Sequence, residues 1–160
     1  MIARVEIDVL VEADGWDDSL PGGAEAFAQK VLGAAGKAEK AMGAVSVLLT
    51  GDSAIQALNR DFRGKNKPTN VLSFPAPKGP GGQGMLGDVA LGLGVVQAEA
   101  LAQGKTVEVH TAHLLVHGFL HLIGHDHEAE EAAEAMETRE RAILAGLGYG
   151  DPYAAAGGAE

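Results

Sequence analysis

All six histidines of the chain fall between His110 and His127, in the stretch HTAHLLVHGFLHLIGHDH. On a helix turning about 100° per residue, His110, His113, His117 and His121 share one face, beside an apolar stripe of Ala112, Val116, Phe119, Leu120 and Ile123. His117 and His121 lie one turn apart on the same side, close enough to share one metal ion. Gly124 lets the chain leave the helix through a left-handed residue, so that His127 can swing back toward the same point. The pattern H-x3-H-x2-G-x2-H thus offers three neutral nitrogen ligands to one Zn²⁺ per chain and leaves a fourth position for water, as catalytic zinc sites do. Imidazole also suits nickel, iron or copper, so zinc is a preference. Taken singly, His110, His113 and His125 read more simply as satisfied core histidines. Asp126 is either a carboxylate that orients a ligand's other nitrogen or a turn former.

The elements around this stretch must hold it at the edge of a core. Val109 to Gly124 carries no Asp, Glu, Lys or Arg. A helix without charge over that length is normally buried, and sixteen residues with four imidazoles make a poor membrane span. Val5, Ile7, Val9 and Val11 alternate with Arg4, Glu6, Asp8 and Leu10 as in a half-buried strand. Gly15 to Gly23 is turn-rich, and Ala24 to Ala35 reads as a helix burying Phe27, Val31 and Leu32. Val45 to Leu49 is a second strand, and Asp52 or Ser53 can cap a helix that runs to about Phe62 with Ile55 and Leu58 inward. Asn70 to Phe74 and Leu86 to Leu93 are further strands, separated by a Pro/Gly-rich loop, Pro77 to Gly84. Val95 to Gln103, Lys105 to Ile123 and Glu128 to Ala145 are helices, the last with Ala132, Met136, Ile143 and Leu144 inward. The order βαβαββααα predicts an α+β fold: one mixed sheet of about four strands covered by helices, with the histidine helix central.

The 160 residues contain no internal repeat or linker, which suits one domain over 1–160 with a flexible tail at about 154–160. Without cysteine there is neither a disulfide nor a thiolate metal site, and Met1 to Arg4 do not open a secretory signal, so a cytoplasmic location is expected. The net charge of −10 argues against bulk attraction to nucleic acid. Residues 60 to 78 run against it, with five of the twelve basic residues and a local charge of +4. Although such a span is often only a solvated surface, here it is the best phosphate-binding candidate, through Arg60, Lys65 and Lys67. The acids Asp126, Glu128, Glu130, Glu131, Glu134, Glu137 and Glu140 gather in the last helix, where a solvated face is expected.

At these residues the chain resembles a known family. His117-Gly118-Phe119-Leu120-His121-Leu122-Ile123-Gly124-His125-Asp126-His127 is similar to the signature of the YbeY family of bacterial endoribonucleases. Leu58-Asn59, Arg63-Gly64-Lys65, Lys67 to Pro75 and Leu86-Gly87-Asp88 resemble the family's central blocks, and Leu147-Gly148-Tyr149 and Asp151-Pro152-Tyr153 its close, so the similarity covers about residues 45 to 153. The resemblance implies a zinc-dependent, single-strand-specific endoribonuclease. Its implied work is ribosomal RNA maturation, notably at the 16S 3′ end, and ribosome quality control. It carries the ligand role to His117, His121 and His127 and a required arginine to Arg63. It also implies the small ribosomal subunit as company, with a small-subunit ribosomal protein and the Era GTPase, and no membrane. His125 stands where many relatives have tyrosine, which raises the question of whether it competes for the metal. Arg63 would stabilise the extra charge on a phosphodiester during cleavage, unless it merely pairs with Asp61 or caps its helix.

Two other readings remain. The ligand frame is also that of metzincin metalloproteases, H-E-x-x-H-x-x-G-x-x-H, but their general base, the Glu after the first His, is Gly118 here. A non-catalytic, metal-stabilised ribosome-assembly factor would hold zinc and cut nothing.

Overall fold

The computed structural model describes residues 5–77, 84–126 and 128–154. Among them the elements run β1 (Val5–Val11), α1 (Gly15–Ser19), α2 (Ala24–Glu39), β2 (Gly43–Thr50), α3 (Asp52–Arg63), β3 (Val71–Pro75), β4 (Met85–Gly92), α4 (Leu93–Gln103), α5 (Val107–Leu122) and α6 (Glu130–Gly146). The strands form one mixed sheet in the order β1-β2-β4-β3, with β1, β2 and β4 parallel and β3 antiparallel to β4. This is the α+β architecture expected.

Successive side chains of a strand point to opposite faces, and the sequence uses both. Val45, Val47 and Leu49 of β2 and Val89 and Leu91 of β4 enter the main core, where they meet Val31 and Leu32 of α2, Leu115, Val116 and Phe119 of α5, and Met136 and Ile143 of α6. Leu48 and Ala90 face the other way, to a smaller cluster with Ile55 of α3 and Leu72 of β3. The histidine helix α5 therefore lies against the sheet between α2 and α6, with ten of its sixteen residues buried. Gly118 permits that approach: a Cβ there would lie 2.9 Å from Val89 Cγ1 and 3.1 Å from Ser73 Oγ, and Ser73 Oγ instead donates to the Gly118 carbonyl at 3.2 Å.

Several local expectations are corrected. The turn-rich segment holds α1, because Trp16 buries its ring in the core and its indole N–H donates to the Thr50 carbonyl at 3.0 Å. Asp52 does not cap α3, whose N-cap is Gly51; its carboxylate accepts from Val95 N at 3.1 Å and so steadies the start of α4. Helix α5 begins two residues later than expected, since Thr106 caps it by accepting from Val109 N at 3.1 Å. No helix among the described residues is long and apolar enough to cross a membrane. Most of the expected loop Pro77 to Gly84, with Lys78, and the tail from 155 lie outside the described residues.

Candidate metal and phosphate site

The end of α5 shapes the site. Gly124 adopts φ 106°, its N–H donates to the His121 carbonyl at 3.2 Å, and His125 N donates to the Leu120 carbonyl at 2.9 Å. That pair of reversed bonds is a Schellman stop, and it turns the chain back over the last helical turn. One consequence is chemical: His121 Nδ1 lies 3.0 Å from the His125 carbonyl, an acceptor, so Nδ1 carries the proton and Nε2 the lone pair.

His117 reaches the same tautomer by another route. Its Nδ1 lies 2.6 Å from Glu140 Oε2, while His113 Nε2 lies 2.9 Å from Glu140 Oε1, and the Tyr153 hydroxyl donates to Oε1 as well. Burial pushes the Glu140 carboxyl up, but hydrogen bonds from His113, His117 and Tyr153 outweigh it and hold the group down at about 2. An ionised carboxylate only accepts, so His117 Nδ1 and His113 Nε2 are both donors. The rings of His117 and His121 stand 4.7 Å apart, nearly perpendicular, with both lone pairs on Nε2. A carboxylate behind one imidazole and a backbone carbonyl behind the other are the partners that orient histidines toward a metal. By its chemistry the donor set fits zinc.

Glu140 corrects the expectation that the acids of the last helix are solvated: it is 0 % exposed. Its position was a missed signal, since Met136, Glu140, Ile143 and Leu144 form one stripe at helical spacing and an acid within a buried stripe needs a partner. Asp126 is the turn former, accepting from Glu128 N at 3.1 Å, and the orienting carboxylate is Glu140. His125 turns its ring toward Glu39, 3.9 Å away, whose other oxygen holds Arg139 at 2.6 Å. His127 lies outside the described residues.

A second grouping is close at hand: ligand atoms of His113, His117 and Glu140 all lie within 4.8 Å of one another. Two ligands of one tetrahedral zinc at about 2.0–2.1 Å would sit roughly 3.3 Å apart. The 2.6 and 2.9 Å contacts are shorter, the spacing of shared protons. Glu140 thus sits behind His117, with the Nε2 side of that ring turned from it.

Arg63 lines the same cleft of about 550 Å³ as His117 and His121. It occupies the last turn of α3, which Gly64 closes at φ 72° with its N–H on the Arg60 carbonyl. The cap is therefore the glycine. Asp61 is held by Arg60 at 3.0 Å, and Arg63 makes no ion pair among the described residues. The loop beyond is tied back to α3, Asn59 Nδ2 donating to the Lys67 carbonyl at 2.9 Å and Gln56 Nε2 to Asn66 Oδ1 at 3.1 Å. Lys65 and Lys67 are exposed on that tethered loop, and Arg60 is exposed beside it. A cleft lined by two imidazoles and a guanidinium offers groups for a cation and for a phosphate.

The family model described as Endoribonuclease YbeY matches residues 14–148. Proteins named endoribonuclease YbeY from Azorhizobium caulinodans and Chelativorans sp. are 52% and 51% identical to this chain, over 94% and 92% of it and 97% and 93% of their own lengths. The solution structure of TM1509 from Thermotoga maritima matches with a TM-score of 0.51 and 26% identity, over 92% of this chain and 98% of that one.

Proposed function

The chain belongs to the YbeY family of endoribonucleases, and from that premise we propose that it is a zinc-dependent, single-strand-specific endoribonuclease acting in ribosomal RNA maturation, at the 16S 3′ end, and in ribosome quality control. The observation that carries this reading is the pairing of His117 and His121, each with Nδ1 committed to an oxygen, in one cleft with Arg63, which makes no ion pair among the described residues. His117, His121 and His127 would hold the zinc. When bound, it supplies a Lewis acid that offsets negative charge on a phosphodiester and activates water.

The chain's own groups do the rest. Glu140 fixes the His117 tautomer and adds a buried negative charge behind a cation site. Arg63 meets the phosphate from the other wall, where a planar fork matches two oxygens and a lysine would offer one point charge. Arg60, Lys65 and Lys67 bind flanking phosphates, the sequence-independent part of RNA affinity, and single strands leave the bases free to be read. The small ribosomal subunit, with one of its proteins and the Era GTPase, fits this role as company, in the cytoplasm.

The metalloprotease reading loses support at position 118, where even a Cβ would collide with Val89 and leave no room for a general-base Glu. The test is cleavage of single- and double-stranded RNA by the zinc-loaded chain and by His117→Ala. Cutting of the single strand by the wild type alone is expected. Zinc binding without any cleavage would favour the assembly-factor role instead.

A further inference from the structure

A second cavity, of about 390 Å³, adjoins the proposed metal cleft and shares Asn70, Val71 and His117 with it. Its floor is the N-terminal half of α5, with His110 and His113, and α4 contributes Glu99 and Gln103. Along the helix His110 and His113 lie four to seven residues from His117, or roughly 6–10 Å at 1.5 Å per residue. That distance is comparable to the extent of one nucleotide along a strand.

The polar groups in this cavity are held, and some are unspent. Glu99 Oε1 takes two hydrogen bonds, from Asn70 Nδ2 at 3.0 Å and from His110 Nε2 at 2.8 Å, which fix the carboxylate in place. Its Oε2 has no hydrogen-bond partner among the described residues, and neither has the Gln103 amide. His110 is 4 % exposed and its Nδ1 is buried without a hydrogen-bond partner among the described residues. Lys105 lines the cavity with one of its three ammonium donors on the Pro152 carbonyl at 3.1 Å. A fixed carboxylate oxygen, an uncommitted amide and a cation beside a phosphodiester site are the groups that read a base edge and hold its backbone.

We propose that this second cavity is a nucleobase subsite: it receives the base of a nucleotide adjoining the scissile phosphate, reads it with Glu99 and favours guanine over uracil. The inference rests on the ribonuclease reading for its substrate. The chemistry of the edge sets the preference. Guanine presents two adjacent donors, N1–H and the 2-amino group, to the two lone pairs of the unspent Glu99 Oε2, with O6 beside them for the Gln103 amide. Uracil presents one donor flanked by two carbonyl oxygens, which the carboxylate repels. Adenine and cytosine, each with one amino group, fall between. Lys105 neutralises the phosphate of the same nucleotide.

The test is the affinity of the zinc-loaded full chain for guanosine and uridine 5′-monophosphate, followed by NMR titration, in the wild type, Glu99→Gln and Gln103→Ala. A good polar match of this kind discriminates by about tenfold or more, so the wild type should bind the guanine nucleotide about that much more tightly. Glu99→Gln keeps an acceptor for Asn70 and His110, so the fold should stand while the ratio falls to about twofold or less. Gln103→Ala, on a partly exposed position, should lower the ratio without touching that network. If Glu99 only ties Asn70 to His110, its substitution would shift the melting temperature and leave the ratio unchanged. Equal affinities in the wild type, or a ratio unmoved in both variants, would overturn the subsite. Mononucleotide binding needs no cleavage, so a chain that prefers guanine yet cuts no RNA would refute the ribonuclease reading alone.

Discussion

Two stretches face the same cleft and are built in opposite ways. On α5 the rings are held from behind: His117 by Glu140, His121 by the His125 carbonyl, His113 by Glu140 and His110 by Glu99. On the connection from α3 to β3 the backbone is tethered by Asn59 and Gln56, while Arg63, Lys65 and Lys67 extend into solvent without an ion pair among the described residues. The difference matches what the two proposed ligands would require. A metal site tolerates deviations of only about 0.2 Å in its ligand distances, so its imidazoles must be fixed before the ion arrives. A phosphate is met by long-range attraction, and flexible cations on a fixed loop suffice.

The contrast breaks hardest at Arg63, the one cation of the connection that shares the cleft with the histidines. Arg63→Lys keeps the charge and loses the fork, so kcat should fall about 10²- to 10³-fold, as for loss of one preorganised donor, with zinc content and most RNA affinity retained. Single-turnover cleavage beside metal analysis checks this, and a wild-type rate would return Arg63 to the role of a surface cation. Next comes Glu140. Glu140→Gln removes the negative charge behind His117, and zinc affinity, read by competition with a chelator, should drop about 10- to 100-fold, the usual cost of losing such a partner. An unchanged affinity would mean the α5 rings need no support.

Smaller effects are expected on the exposed side. Lys65→Glu with Lys67→Glu should weaken RNA binding and make its logarithmic salt dependence shallower by about 1.4, since each phosphate contact on a single strand contributes about 0.7. An unaltered salt slope would remove these residues from the interface. The smallest effect concerns His110, whose ionisation burial pushes below the ordinary 6.5 against the pull of Glu99. The unfolded chain therefore takes up a proton before the folded one does, and His110 favours the fold above about pH 6.5 and loses that contribution as pH falls. Denaturant unfolding of wild type and His110→Gln at about pH 5 and 7.5 should show a shallower decline in the variant.

The difference between the two stretches also sets what could be read from the sequence. The pairing of His117 with His121 and the stop at Gly124 are local, so spacing and one glycine sufficed to foresee them. The basic connection was equally visible as composition. Glu140 was not, because its burial depends on α6 packing across α5, and the six acids from Asp126 to Glu137 that precede it set a solvated pattern. Trp16 escaped for the same reason: glycines and acids around it read as a turn, and only the Thr50 carbonyl of a distant strand explains a helix there. The sheet order likewise rests on contacts far apart in the chain, although the number of strands and their mixed character followed from the order of elements, βαβαββααα.

The proposed zinc lies on the His117 and His121 side, with Glu140 behind His117, rather than between His113, His117 and Glu140. Both arrangements use His117, so the informative measurement is zinc content after equilibration with a weak chelator, in His121→Ala and His113→Ala side by side. That placement predicts that His113→Ala keeps its zinc and His121→Ala loses it, both remaining folded by circular dichroism. Zinc retained in His121→Ala and lost from His113→Ala would contradict it and move the metal onto Glu140.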